Sequence, residues 1–112
     1  WIDIGITYES DIDLAKKIME DEVLNHPLHI DPRTPEQIQN NEPIVPVRVL
    51  NLAESSVMLR AWSWAHNAAE GFTMSCDLYE SIKKRFDAEG VQIAYPHRTV
   101  IIKQTQEPEK NA

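Results

Sequence analysis

The order of hydrophobic periodicities along the 112-residue chain constrains its fold more than any other feature. Apolar and polar residues alternate over residues 2–8, which is the pattern of a half-buried strand. Over residues 12–24 the apolar residues recur every three or four positions, and either Ser10 or Asp11 precedes them as a capping residue. The sequence therefore predicts a strand that is followed directly by an amphipathic helix.

Residues 26–43 lack a regular pattern and contain four of the seven prolines of the chain. We expect a long surface loop here, because a buried segment of this composition would leave many backbone groups without hydrogen bonds. One helical turn at Pro35–Gln39 is compatible with this loop. Two strand patterns follow, at residues 45–52 and 56–65, and their short connection predicts a hairpin.

A second helical pattern occupies the chain after residue 71. It consists of five residues at intervals of three or four: Phe72, Cys76, Tyr79, Ile82 and Phe86. We predict that these side chains form the buried stripe of a helix that ends at Gly90, because such spacing keeps them on one face. Residues 91–94 are then predicted to form a fourth short strand.

The resulting order of elements predicts the α+β class and the ferredoxin-like split βαβ sandwich, β-α-β-β-α-β. In this arrangement the sheet is antiparallel and both helices lie on one of its faces. We assign residues 1–95 to this domain. Residues 96–103 are predicted to contain an additional extended segment, and the polar residues 104–112 are predicted to be a disordered tail.

Charge and composition argue against several classes of function. The chain has 18 acidic and 11 basic residues and a formal charge of -7, which disfavours nucleic-acid binding because phosphate contacts need clustered cations. No apolar run approaches the roughly 20 residues of a membrane helix. Cys76 is the only cysteine, so an intrachain disulfide is impossible. The chain opens on Trp1 within a predicted strand, from which we expect a fragment of a longer polypeptide.

Candidate catalytic or metal-binding residues are few. His26, His29 and Asp31 can each bind a metal, but they lack the ligand spacing of a known zinc site, so loop residues are the simpler interpretation. The acids within residues 9–13 are better explained by helix capping than by calcium binding. Cys76 occupies a predicted core position, and no nucleophile elbow or phosphate-binding glycine loop is present. The sequence therefore predicts no catalytic, cofactor-binding or metal-binding residue.

One face of the third predicted strand carries two tryptophans. Met58, Arg60, Trp62 and Trp64 alternate along this segment and share a face. If that face is the open side of the sheet, it is a candidate contact surface, because exposed tryptophans commonly mark a partner surface. Alternatively, the long loop at residues 26–43 covers these side chains.

Four short motifs follow one another in the order found in a known channel family. They are the segment 8–13, the pairs His26-Pro27 and Asp31-Pro32, the run Ser55-Ser56-Val57 with Arg60-Ala61-Trp62, and the segment 86–100. In this order they resemble the C-terminal domain of bacterial small-conductance (MscS-like) mechanosensitive channels over residues 1–103. Ala94 and His97 depart from the family pattern, which usually has a proline and a glutamine at these positions.

The resemblance implies a non-enzymatic module of a channel that opens under membrane tension during osmotic stress. Such channels are heptameric homo-oligomers of the bacterial inner membrane, and this domain would belong to the cytoplasmic cage that supports assembly, solute filtering and gating. The chain would reach the membrane only through helices upstream of it, and we expect the isolated piece to be a monomer or weak dimer. No cofactor and no nucleic-acid partner are implied.

In the family, the last strand of each subunit joins its neighbours in a small barrel at the base of the cage. An unpaired strand edge is a liability unless another chain covers it, so such pairing has a physical reason. The resemblance assigns this barrel strand and oligomer interface to Pro96, Thr99, Val100, Ile101, Ile102 and Lys103.

Two other functions are compatible with the predicted architecture, because this fold hosts many activities. The first is a regulatory module that binds a small ligand, which would need a pocket at a dimer interface. The second is a small hydrolase of acyl phosphates, which would need an arginine in an anion-binding loop after the first strand. Glu9 and Asp11 stand at that place, and their negative charge disfavours the hydrolase.

Overall fold

The computed structural model describes residues 1–94, which form three strands and three helices. In chain order these are β1 (Ile2–Ile6), α1 (Ile12–Asn25), α2 (Pro35–Gln39), β2 (Val47–Leu52), β3 (Val57–Ala61) and α3 (Ala68–Glu89). All three strands are shorter than predicted, whereas the order of these elements is the predicted one. The α+β class is therefore confirmed.

The strands form one antiparallel sheet in the order β1–β3–β2. Leu59 on β3 pairs with Ile4 on β1 and with Val49 on β2, and a bulge at Leu50 interrupts the β2–β3 ladder. Both outer strands run antiparallel to β3, so β1 and β2 are parallel to each other and α1 connects them. This arrangement is compatible with a split βαβ fold, and the predicted hairpin of β2 and β3 is confirmed.

The segment after α3 returns to the edge of β1 that faces away from β3. Ile93 forms an antiparallel bridge with Ile6, and the Ala94 N–H donates to the Gly5 carbonyl at 2.9 Å. The fourth strand predicted at residues 91–94 is thus represented by one bridge and its flanking hydrogen bonds, not by a regular ladder.

The core lies between one face of the sheet and the two long helices. α1 contacts β2, β3 and α3, and α3 also contacts β1. Alternate residues of β1 and β3 are buried on this face, in agreement with the period-two pattern. The buried side chains of these elements are Ile2, Ile4, Ile6, Val57, Leu59 and Ala61 from the strands, Ala15, Ile18, Met19 and Val23 from α1, and Met74, Leu78, Ile82 and Phe86 from α3.

The helices begin and end at capping residues that can be recognised in the sequence. The Asp11 carboxylate caps α1 by accepting the Leu14 N–H at 3.1 Å, and Gly90 ends α3 in the left-handed conformation at φ 85°. The predicted helical turn is α2, which begins with a capping box between Thr34 and Gln37. These boundaries are therefore set by short-range hydrogen bonds.

The buried stripe predicted for α3 is wrong in its first half. The helix begins at Ala68, after an Asn67 cap, and is thus longer than predicted at its N-terminal end. The predicted members that are exposed are Phe72 (72%), Cys76 and Tyr79 (46%).

The error has a geometric cause. The predicted and observed stripes of α3 share Ile82 and Phe86, and both have helical spacing. At about 100° per residue, Met74 lies on one side of this shared pair and Phe72 on the other. The packing of α3 against α1 and β1 buries the side that carries Met74.

Candidate contact surface

The face of the sheet opposite the core is the surface on which the predicted contact residues lie. Asp3 and Gly5 on β1, and Met58 and Arg60 on β3, alternate with the buried positions of those strands and are partly exposed. Arg48 on the outer strand β2 is paired with Arg60 in the strand register. We call this surface the open face.

Arg60 and Asp3 form a bidentate ion pair on the open face. They stand directly opposite each other in the β1–β3 register, and Nε and Nη2 of Arg60 donate to Oδ1 and Oδ2 of Asp3 at 2.7 and 2.8 Å. The hydrogen bonds from Arg60 lower the pKa of Asp3, against the opposing effect of its burial. Paired hydrogen bonds of this kind fix the plane of the guanidinium group.

Two indole rings flank this guanidinium group. Its central carbon lies 4.4 Å from the ring centroid of Trp1 and 5.8 Å from that of Trp62, which is within the range of cation–π attraction. Trp1 is 65% exposed, so a partner can reach this group of residues from solvent. We call Trp1, Asp3, Arg60 and Trp62 the arginine cluster.

Met58 lies two residues before Arg60 and packs over Gly5, its partner in the register. A Cβ atom at position 5 would lie 2.9 Å from the Met58 Sδ atom, so the missing side chain of Gly5 permits this close approach. The Ser56 hydroxyl donates to the same sulfur at 3.4 Å. Met58 therefore borders the arginine cluster with an apolar and adaptable side chain.

The structure brings three of the four predicted contact residues together. Met58, Arg60 and Trp62 lie on or beside the open face, whereas β3 ends at Ala61, before Trp64. The Trp64 carbonyl instead accepts the Ile30 N–H from the long loop at 3.0 Å. The loop therefore reaches the chain at Trp64 through a backbone hydrogen bond.

Sequence reasoning missed Trp1 and Asp3 as members of the cluster. The available signal was an acidic residue on the polar face of one strand and a basic residue on the polar face of another. That signal does not show which acidic residue pairs with which basic residue, because the register that sets Asp3 opposite Arg60 is a property of the folded sheet.

An exposed stripe of α3 borders the arginine cluster at the β1 edge. The Tyr79 hydroxyl accepts the Asp3 N–H at 3.4 Å, and Cys76 and Phe72 precede Tyr79 on the same side of the helix. Trp1 directly before β1 and Phe72 and Tyr79 on α3 are thus exposed aromatic residues, and Tyr79 contacts β1 at Asp3. Surface of this kind is typical of protein–protein contacts.

Two of the three metal-competent side chains of the long loop, His26 and Asp31, are engaged by other residues. His26 Nε2 lies 2.8 Å from Asp77 Oδ2, and Asp31 accepts hydrogen bonds from Arg33 Nε and Nη2 at 3.0 and 2.9 Å. These bonds from Arg33 lower the pKa of Asp31. Within residues 1–94, no group of three or more histidine, cysteine, aspartate or glutamate side chains is arranged to hold a metal ion.

A groove of about 420 Å³ lies between α1 and β2. Its charged lining residues are Asp13, Lys16, Lys17, Glu20 and Arg48. Lys17 donates to Asp21 at 2.7 Å, so one of these cations is already paired on α1. The mixture of charges is typical of a solvated surface and selects no single class of ligand.

None of the helices within residues 1–94 has both the length and the apolar character needed to span a bilayer. The described segment therefore contains no candidate membrane helix of its own.

Comparison with known protein families shows which family the chain belongs to. Residues 2–93 match the family model described as the C-terminal domain of the mechanosensitive ion channel MscS. The matched region runs from the start of β1 to the Ile93 bridge and includes the open face. The family consists of channel domains and is not an enzyme family. The motif resemblance is thereby confirmed, and the chain belongs to the family of C-terminal domains of MscS mechanosensitive ion channels.

Proposed function

We propose that this chain is a non-enzymatic building block of the cytoplasmic vestibule of a mechanosensitive channel in the bacterial inner membrane. In this proposal the domain supports assembly of a heptamer, filters solutes at the vestibule wall and takes part in gating under osmotic stress. The family match supports the channel assignment. The arginine cluster supports a role in contacts between protein surfaces.

The proposed role in subunit contacts rests on the exposed arginine cluster. The Arg60 side chain is held by Asp3 and flanked by two indoles, so it has little conformational freedom left to lose on binding. Tryptophan and arginine are enriched at the positions that dominate the binding energy of interfaces. In a closed ring each copy must present such a surface to its neighbour, and the arginine cluster supplies one.

We further propose that the sheet is completed to the ferredoxin-like order, with a fourth strand on the outer edge of β1. The Ile93–Ile6 bridge supports this order, because it lies on the side of β1 that faces away from β3. A strand at this edge would cover backbone groups that are otherwise open to pairing with other chains.

The predicted barrel segment at residues 96–103 and the predicted tail at residues 104–112 lie outside the described residues. We propose that the barrel segment, in particular Thr99 to Lys103, pairs with its copies in neighbouring subunits. Its β-prone composition supports this proposal, since a closed barrel leaves no strand edge unpaired.

Replacing Trp62 by alanine in the full-length channel is expected to weaken subunit association by on the order of tenfold or more. Truncation of a dominant interface tryptophan typically has an effect of this size, because it removes a large contact area and leaves Arg60 less well held. Native mass spectrometry of the detergent-solubilised channel, over a dilution series, measures the fraction of heptamer. Patch-clamp recording measures the tension at which the same channel opens.

Leu52→Ala is the matched control for Trp62→Ala. Leu52 is 69% exposed and lies on the outer strand β2, away from the arginine cluster, so its loss is expected to leave assembly unchanged. Thermal melts by circular dichroism establish that both variants are folded. A folded Trp62→Ala channel that assembles and opens like the wild type would refute the proposed contact surface.

Ending the full-length chain after residue 95 is expected to lower the heptamer fraction in the same assay. The reason is that the proposed barrel strand is removed while the packed elements of residues 1–94 are retained. The melting temperature of the isolated domain is expected to change little. Unaltered assembly and gating of the shortened channel would exclude the barrel proposal without affecting the proposed role of the arginine cluster.

A further inference from the structure

His29 is a half-buried residue whose two ring nitrogens lie inside the protein. Both ring nitrogens are shielded from solvent, and neither makes a hydrogen bond of normal geometry among residues 1–94, although the backbone of Trp64 lies close enough to favour a charged ring. A neutral imidazole carries one N–H donor and one acceptor nitrogen, so this ring forgoes hydrogen bonds that water would supply. Most buried polar atoms in folded proteins are paired, and this exception requires an explanation.

Burial lowers the pKa of His29 below its ordinary value of 6.5. Among the groups around the ring, the Asp31 carboxylate and the backbone of Trp64 favour the protonated form, whereas His26 opposes it. Burial has the larger effect, because the Asp31 charge and the Trp64 backbone replace only part of the hydration that a charged ring would lose. The folded loop therefore holds His29 in its neutral form.

The residue after His29 docks the loop. The Ile30 N–H donates to the Trp64 carbonyl at 3.0 Å, which joins the loop to the segment that follows β3. His29 and Ile30 thus leave this segment together if the loop moves away from it.

The other end of the loop is fixed to α3 through His26. His26 Nδ1 accepts the Leu28 N–H at 3.1 Å, so the proton of the neutral ring lies on Nε2, which donates to Asp77 Oδ2 at 2.8 Å. The loop is therefore attached to α3 at one end and to Trp64 near its middle.

We infer that residues 26–33, which we call the histidine loop, form a proton-sensitive latch in which a proton on His29 releases Ile30 from Trp64. A charged imidazole needs hydration at its nitrogens, and the shielded ring nitrogens reach water when the loop lifts away from the segment after β3. Lifting breaks the Ile30–Trp64 hydrogen bond and uncovers the chain two residues beyond Trp62 of the arginine cluster. Acidification is thereby linked to the surface proposed for subunit contact, although the latch itself does not depend on that proposal.

The direction of the pH dependence follows from the number of protons bound in each state. The docked loop disfavours the charged ring, so the lifted state binds up to one more proton once the pH falls below about 6.5. The docked state is fully favoured above that pH and loses stability as the pH falls through it. Between about pH 7.5 and about pH 5.5 the equilibrium for lifting changes by up to about tenfold.

Carboxylates act on stability in a separate and lower pH range. The pKa values of Asp3, Asp21 and Asp31 are lowered from the ordinary value of 3.8, chiefly by hydrogen bonds from Arg60, Lys17 and Arg33 respectively. Their contribution is present above that value and is lost as the pH falls below it. A change centred near pH 6 therefore does not come from these three groups.

Amide hydrogen exchange of the 112-residue chain, followed by NMR, tests the latch. After correction for intrinsic exchange rates, the Ile30 amide is expected to lose up to about tenfold of its protection between about pH 7.5 and about pH 5.5. The Trp62 amide donates to the Pro46 carbonyl at 3.0 Å and is the internal reference, which is expected to keep its protection. No change at Ile30, or an equal change at both amides, would overturn the latch.

Two variants determine which histidine takes the proton. His29→Phe keeps a planar ring that cannot titrate, and it is expected to abolish the pH dependence at Ile30. His26→Gln keeps a donor that can reach Asp77, and it is expected to retain that dependence. The reverse pattern would overturn the assignment to His29. If His29→Phe does not fold, titration of the wild-type His29 ring by NMR decides, since a ring pKa at or above about 6.5 contradicts the latch.

Discussion

Replacing Phe86 by alanine is expected to lower the free energy of unfolding by about 3–5 kcal/mol. Phe86 is fully buried on α3, where it is the largest completely buried side chain of the described core. Its removal loses apolar burial and leaves a cavity, because close-packed neighbours relax only partly into the vacated space. Urea denaturation of the wild type and the variant, followed by far-UV circular dichroism, measures the difference.

Phe72→Ala is the matched control on the same helix. Phe72 is 72% exposed, so its truncation is expected to change the free energy of unfolding by no more than about 0.5 kcal/mol. The pair of variants tests which of the two overlapping stripes of α3 faces the core. A loss of several kcal/mol on Phe72→Ala, or losses of similar size in both variants, would contradict the observed packing of α3.

The order of the elements was predictable because the hydrophobic pattern and the capping residues of each strand and helix depend only on residues close in sequence. The alternation of Ile2, Ile4 and Ile6 fixes which side of β1 is apolar, whatever the rest of the chain does. Asp11 and Gly90 mark helix ends through hydrogen bonds and backbone conformations that involve only their near neighbours. Properties of this range can be inferred from the sequence alone.

The features that could not be predicted depend on contacts between distant segments. On α3, periodicity allows the buried stripe to include either Phe72 or Met74, and only the packing against α1 and β1 decides between them. The Asp3–Arg60 pair joins residues 57 positions apart and depends on the register of the sheet. β3 ends at Ala61, four residues before the predicted end, and the Trp64 carbonyl beyond it accepts a hydrogen bond from the long loop.

Two glycines at opposite ends of α3 are expected to respond to alanine in opposite directions. Gly90 has φ 85°, a left-handed conformation in which a Cβ atom is strained, so Gly90→Ala is expected to lower the free energy of unfolding by about 1 kcal/mol. Gly71 lies in the first turn of α3, and a Cβ atom there would meet only the Ala65 Cβ at 4.0 Å. Gly71→Ala is therefore expected to raise the free energy of unfolding by up to about 1 kcal/mol, because alanine favours the helix.

The substitution at Gly90 is expected to act on the β1 edge as well as on global stability. Gly90 turns the chain from α3 towards β1, after which Val91 is 2% exposed and the Ala94 N–H donates to the Gly5 carbonyl. Strain in this turn is expected to weaken that hydrogen bond, so amide exchange at Ala94 becomes faster in Gly90→Ala and stays unchanged in Gly71→Ala. If Gly90→Ala alters neither the urea midpoint nor exchange at Ala94, the left-handed turn is not what brings residues 91–94 to the edge of β1. The proposed fourth strand would then need a different structural basis.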